Sequence, residues 1–276
     1  MPAIQSIVHP TDFSEASAEA FAHALRVTLA AKGRLTVLHV SADARTDDWA
    51  AFPHVRRLLA DWGLMDANDP PDAIYAKAGI TVSKVEMMPH DPVDAVARFI
   101  GAHPADLIVL ATEGRQGVAR WLSGSVAEAL ARQAKVPTLF VPAKARGFVD
   151  RRRGEVHLRH VLIPVDREPK PAAAVSAVMS FAHMLAGIDA EPRLLHVGKE
   201  PPQVQHHTEP GRALPVALRQ GDVLDAILDV ANDWPADLIG MATAGHRGVL
   251  DALRGSTTER VLRQAPCPLL AVPVER

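Results

Sequence analysis

One cysteine in 276 residues, Cys267, leaves no internal disulfide to propose. It lies in Pro266-Cys267-Pro268-Leu269-Leu270, where a small buried apolar residue is expected rather than a reactive thiol. Excess charge of one sign is also lacking: the net charge is −2, so the chain makes no electrostatic case for nucleic acid or for anionic lipid. The start, Met1-Pro2-Ala3-Ile4-Gln5-Ser6-Ile7-Val8, has neither a cationic beginning nor a long apolar region, which argues against a signal peptide. The longest uncharged apolar runs fall far short of a membrane span, and a soluble cytoplasmic protein is the expectation. No nucleophile is paired with a base at a recognisable spacing, and no metal-ligand cluster is visible; the adjacent His206-His207 lack a second group of ligands. What is present is 48% hydrophobic and 22% charged, a globular balance over a length that suits two domains.

The chain contains a gapless internal repeat. Residues 91–142 and 222–273 align at a constant offset of 131 with 24 identities in 52 positions. Pro104-Ala105-Asp106-Leu107-Ile108 returns as Pro235-Ala236-Asp237-Leu238-Ile239, and Gly124-Ser125 as Gly255-Ser256. That spacing is too long for a solenoid unit and implies a duplicated domain. Upstream the offset is 154 at Pro10/Pro164 and 157 at His39/His196, so the second repeat has lost 157 less 131, or 26, residues between strands two and three. The expected units are residues 1–145 and 157–276, joined by a linker at 146–156 whose Arg151–Arg153 run reads as solvated.

Short β-type runs alternate with helical patterns, the signature of a parallel α/β sheet. The first repeat predicts strands at Ile4–His9, Leu35–Val40, Val82–Met87, Leu107–Ala111 and Pro137–Pro142. Between them fall helices from Ser14 (an N-cap) to about Ala31, after Asp91-Pro92, and over Ser125–Gln133. A helical pattern at Trp49–Trp62 and a Pro-rich loop separate strands two and three. The second repeat predicts strands at Val161–Pro164, Leu194–Val197, Val216–Arg219, Leu238–Ala242 and Leu269–Pro273, with helices at Ala172–Leu185, Asp222–Asn232 and Ser256–Gln264. His39 and His196, both within Leu-His-Val, are expected as satisfied core histidines.

The loop after strand four carries the sharpest signal. Ala111, Gly114, Gly124 and Ser125 recur at the same spacing as Ala242, Gly245, Gly255 and Ser256. Glycines let backbone approach a ligand closely, and a Gly-Ser that opens a helix offers free N–H groups to phosphate. The loop follows the carboxyl end of a parallel strand, where open α/β sheets bind ligands. Asp12 and Asp166 recur two residues after a strand-one proline; both are read as ligand contacts over simple turn residues, though Asp at such turns is common. Arg115, His246 and Arg247 in the glycine loops are read as solvated rather than as phosphate ligands.

Together, Pro10-Thr11-Asp12-Phe13-Ser14-Glu15, the repeated Ala-Asp-Leu-Ile strand and the glycine loop ending in Gly-Ser resemble the universal stress protein family in its tandem, nucleotide-binding form. The resemblance implies two Rossmann-like domains, each a five-stranded, mostly parallel sheet flanked by helices. It implies an adenine nucleotide (ATP, ADP or AMP), with magnesium accompanying it, at the strand carboxyl ends. In the first repeat Pro10, Thr11, Asp12 and Val40 would meet the base and ribose, and Ala111, Gly114, Gly124, Ser125 and Val126 would line the ribose and phosphates. The second-repeat counterparts are Pro164, Val165, Asp166 and Val197, then Ala242, Gly245, Gly255, Ser256 and Thr257. Ala111 and Ala242 replace the first motif glycine, adding a methyl where backbone meets ligand. The implied role is stress-linked regulation through a protein partner, with hydrolysis at most slow, in an intramolecular pseudo-dimer that could pair further as a homodimer. Alternatives are an interaction module without nucleotide and an adenylyl-transferring enzyme; the His-x-Gly-His signature of the latter is missing near Thr11–Glu15.

Overall fold

A computed structural model describes residues 3–40, 51–70, 72–87, 92–112, 136–204, 213–244 and 257–274. Ten strands form one sheet. In the first half these are β1 (Ser6–Thr11), β2 (Arg34–Val40), β3 (Thr81–Met87), β4 (Leu107–Ala111) and β5 (Thr138–Val141). The second half supplies β6 (His160–Pro164), β7 (Glu191–Val197), β8 (Val216–Arg219), β9 (Leu238–Ala244) and β10 (Leu269–Val274). The order is β3-β2-β1-β4-β5-β10-β9-β6-β7-β8. Each half therefore has the same strand order, in mirror sequence across the sheet, as the duplication requires. All pairings within a half are parallel. The halves meet where β5 and β10 run antiparallel, with Leu270 opposite Leu139. The two expected five-stranded sheets are thus continuous.

Helices cover both faces. On one lie α1 (Glu15–Ala31) and α5 (Pro171–Ala186), whose buried faces join Ile7, Val109, Leu139, Leu238 and Leu270 in a core that crosses the junction. On the other, α4 (Pro92–Ala102), α6 (Val223–Asp233) and α7 (Thr257–Leu262) cover a second core that includes Leu38, Phe140, Ile239 and Leu269. Strands covered on both faces are continuously apolar, which is why Leu107–Leu110 has no polar alternation. The α5 stretch is long and apolar enough to pass a test for a membrane span, but it is a core helix here, with Val178, Phe181 and Ala182 buried. Cys267 is fully buried and burial pushes its thiol far up, consistent with the apolar role.

Several elements depart from expectation. β1 starts two residues late, because the Asp106 carboxylate accepts the N–H groups of both Gln5 and Ser6 at 2.9 Å and the ladder opens there. It also runs through Pro10; pairing with β4 occupies Ile7 and Val8, so the missing proline N–H falls beyond that ladder. The helix expected at Trp49–Trp62 is shorter, α2 at Val55–Asp61. The stretch expected as a Pro-rich loop contains α3 (Ala73–Ala78), closed by Gly79 in the left-handed region and fastened by Lys77 on Asp69. The helix expected at Ser125–Gln133 lies outside the described residues.

The connector is built in rather than loose. Val149 and Val156 form an antiparallel bridge, and the Phe148 and Leu158 side chains are buried. Phe148 sits edge-on to His23 of α1 at 4.6 Å and to Phe181 of α5 at 6.3 Å. His23 donates from Nδ1 to the Glu19 carbonyl, so its Nε2 accepts from the Phe148 and Val149 amides at 3.1 and 3.3 Å. Arg151, expected to be solvated, pairs with Glu15 and Glu19 of α1.

Burial holds the His9 and His23 imidazoles down at about 4, from an ordinary 6.5. A histidine whose folded pKa lies below its unfolded value stabilises the native state fully above the unfolded value, and that stabilisation is lost as pH falls through the window between the two. The expected loss between pH 6.5 and 4 is on the order of 3 kcal/mol per histidine. Denaturant unfolding across that range should show it, and His23→Gln should flatten the slope; a stability independent of pH would contradict the assignment. In the same assay Asp106→Ala should cost roughly 1 kcal/mol, since one exposed and one part-buried amide lose their acceptor.

Candidate functional site

The order in which strands are added to the sheet reverses between β1 and β4, and between β6 and β9. The crevice outside the carboxyl ends at such a reversal is where open α/β sheets take ligands. In the second half it is a cleft of about 260 Å³. Six of the nine residues expected there line it: Pro164, Val165 and Asp166 after β6, Val197 at the end of β7, Ala242 in β9, and Thr257 at the start of α7. Gly245, Gly255 and Ser256 lie outside the described residues, as do Gly114, Gly124, Ser125 and Val126 of the first half. Arg115, His246, Arg247 and His206-His207 fall outside them too.

The turn that carries Asp166 is pinned from below. His196 Nδ1 lies 3.0 Å from the Val165 carbonyl oxygen, and a carbonyl only accepts, so Nδ1 carries the proton. In the first half, His39 Nδ1 makes the same bond to the Thr11 carbonyl at 2.8 Å. The Leu-His-Val histidines are therefore satisfied as expected, but His39 is half-buried. Asp12 Oδ1 accepts the Ser14 N–H at 3.0 Å, a turn bond two residues on. Asp166 Oδ1 accepts the Arg167 N–H at 2.7 Å and its side chain is 71% exposed.

Around Asp12 the remaining groups interlock. Pro10 and Thr11 are buried, Val40 and Ala111 half-buried. Ser17 Oγ donates to Thr11 Oγ1 at 2.8 Å and lies 3.4 Å from His9 Nε2, while His9 Nδ1 meets the Val109 carbonyl. Phe13 has a left-handed φ of 59°, a conformation that costs on the order of 1 kcal/mol for a side chain, and its ring stacks on His39 at 4.0 Å with Phe52 edge-on at 5.1 Å. Its counterpart at the 154-residue offset, Arg167, is exposed and pairs with Glu200.

One residue missed by sequence reasoning stands out. Thr243, in the strand end that lines the second cleft, is 3% exposed and its Oγ1 has no hydrogen-bond partner. Burying a hydroxyl unpaired costs free energy that a partner would recover. The repeat contained a signal for it, since Ala242-Thr243 copies Ala111-Thr112. No group of three metal-ligating side chains occurs among the described residues.

A doubled open α/β sheet with a crevice at each reversal point defines a tandem Rossmann-like protein. More narrowly, the chain belongs to the universal stress protein family, whose model matches residues 3–142 and 199–273. It is 31% identical over 140 residues to a universal stress protein of Methanocaldococcus jannaschii, covering 50% of this chain and 81% of that one. A Synechocystis universal stress protein is 29% identical over 144 residues, covering 44% of this chain and 88% of that protein. Among solved structures, a universal stress protein from Archaeoglobus fulgidus matches 97% of this chain and 95% of its own at a TM-score of 0.60 and 20% identity. A Pseudomonas aeruginosa structure described as a putative universal stress protein matches 98% and 94% at 0.63 and 17%. At those identities the structures establish the fold over the whole chain.

Replacing Thr243 by valine keeps the shape and removes the unpaired hydroxyl. Ligand-free protein should gain about 1 kcal/mol in chemical denaturation; a loss of stability would mean the hydroxyl is already bonded.

Proposed function

We propose that the chain binds an adenine nucleotide at the carboxyl end of the sheet in each half, as a regulatory protein of the stress response. The observation that carries this reading is the second cleft, a concave site at the reversal point with a buried hydroxyl that lacks a partner. A nucleotide hydroxyl or phosphate oxygen there would satisfy Thr243, while Val165, Val197 and Met241 give the base apolar surroundings. Asp166 and Glu168 are the carboxylates of the cleft and would hold a ribose or a magnesium ion carried by the phosphates. The glycine loops at Gly114–Ser125 and Gly245–Ser256 would close over the phosphates. Residues 1–145 and 157–276 each carry one site in this reading, with nucleotide occupancy conveyed to a protein partner and hydrolysis at most slow.

The halves differ in cover. Phe52, from the segment the second half lacks, backs the Phe13–His39 stack, whereas the second half presents the solvated Arg167–Glu200 pair at the corresponding turn. More enclosure of a base favours the first site, since each 100 Å² of apolar surface removed from water contributes roughly 2.5 kcal/mol.

Mass spectrometry of small molecules released by heating the purified protein tests occupancy. Calorimetry with ATP should give a Kd on the order of micromolar or weaker. In full-length protein, Gly124→Val should leave the weaker site and Gly255→Val the tighter one, with a severalfold difference; Thr243→Val should weaken only the site that survives in Gly124→Val. Binding unchanged in both glycine variants would place the phosphate elsewhere, and tighter binding by the second site would refute the role given to Phe52.

A further inference from the structure

Residues between β2 and β3 of the first half, together with the connector, line a second kind of cleft there. It has a volume of about 670 Å³ and lies between the start of α1, the segment leading into α2, and Arg151-Arg152. Of the residues expected to meet nucleotide it shares Thr11 alone. Its floor is apolar: Phe21 and Phe52 are buried to 3% and 1% exposure, with Phe13 and Leu58 half-buried beside them.

The walls are held in place without a ligand. Trp62 Nε1, just past α2, donates to the Arg151 carbonyl at 2.9 Å. Gly154 has φ +68°, and a β-carbon there would meet the Trp62 ring at 2.4 Å, so the connector turn fits against α2 only as glycine. Arg151 is bound to Glu15 and Glu19. Two other arginines on the rim are treated differently: the Arg57 and Arg152 side chains are exposed and make no hydrogen bond or ion pair among the described residues. Glu19 is held by Arg151 and Asp61 also lines the cleft, so Arg57 and Arg152 are the two cations there without a partner among the described residues, and they are what an anion would meet.

We infer that this cleft binds a small amphipathic anion: an aromatic ring or short acyl chain on the phenylalanine floor, with its phosphate, sulfonate or carboxylate between Arg57 and Arg152. Guanidinium groups match such oxyanions in geometry and charge, and the desolvated rings below recognise the apolar body. The cleft shares Thr11 with the residues expected to meet nucleotide and Phe13 and Phe52 with the ring stack behind them, but Arg57 and Arg152 are not among the residues expected to meet nucleotide.

8-Anilinonaphthalene-1-sulfonate and its uncharged analogue N-phenyl-1-naphthylamine are suitable probes of full-length protein, read by fluorescence titration. The sulfonate should bind saturably at one site and more tightly than the neutral dye. The double variant Arg57→Glu/Arg152→Glu should weaken the sulfonate on the order of tenfold and leave the neutral dye unchanged. Ala18→Trp, which fills the cleft from α1, should abolish both. Excess ATP should not displace the sulfonate, nor should Gly124→Val affect it. Sulfonate binding that survives the charge reversal, or that ATP displaces, would overturn the inference, and so would the absence of saturable binding. Both arginine side chains are exposed, so a folded double variant is expected, and circular dichroism checks it.

Discussion

The pairing of β1 with β4, repeated as β6 with β9, is the constraint on which the rest of the molecule depends. At its amino end each pair is tied by one carboxylate. Asp106 Oδ2 takes the Gln5 and Ser6 amides, and Asp237 Oδ2 takes those of Arg159 and His160. The reciprocal bonds run from the Asp106 amide to the Ser6 carbonyl and from the Asp237 amide to the His160 carbonyl. Registers then match across the duplication, with Ile7 opposite Leu107 and Val161 opposite Leu238. Fixing the strands at this end leaves the opposite ends to diverge: in the second half β6 leads to α5 on one face and β9 towards α7 on the other. The crevice exists because the pair is clamped where it cannot open.

Asymmetry between the halves arises at two places, the segment between strands two and three and the connector. Each would be a small change alone. In the structure they touch: Trp62 binds the Arg151 carbonyl, and Phe148 wedges between His23 and Phe181. The connector therefore transmits the position of α2 to the packing of α1 against α5, the two helices that span the sheet junction. Asp237 joins this system through Arg146, so the second clasp carries an ion pair that the first has no counterpart for among the described residues.

Much of this was legible in the chain. β4 and β8 fall where periodicity set them, Ser14 caps its helix with its own side chain, and the shared strand order follows from the repeat. Three of the failures share a cause, a contact between residues far apart in sequence. Asp106 and Asp237 carried no local sign of their role, because their amide partners lie 100 and 77 residues away. Arg151 looked like part of a solvated basic run, because Glu15 is 136 residues distant. The edge-to-edge joint of β5 with β10 carries no local signal, being ordinary apolar strand on both sides. Of the site, Asp166, Val197 and Ala242 were legible from the repeat; the unsatisfied hydroxyl of Thr243 was not, because its state depends on burial and not on type.

The histidines make a further distinction that sequence could not. His39 and His196 both work as Nδ1–H donors to the carbonyls of Thr11 and Val165. Protonation adds a second donor to an imidazole and leaves that bond intact. His23 works in the opposite sense, since its Nε2 accepts the Phe148 and Val149 amides, and a proton there removes both bonds and places a charge in the core. Acid therefore acts on the molecule unevenly. It loosens the connector and the packing of α1 on α5 while the turns bearing Asp12 and Asp166 keep their anchors. The joint between the halves is therefore supported by an interaction that acid removes.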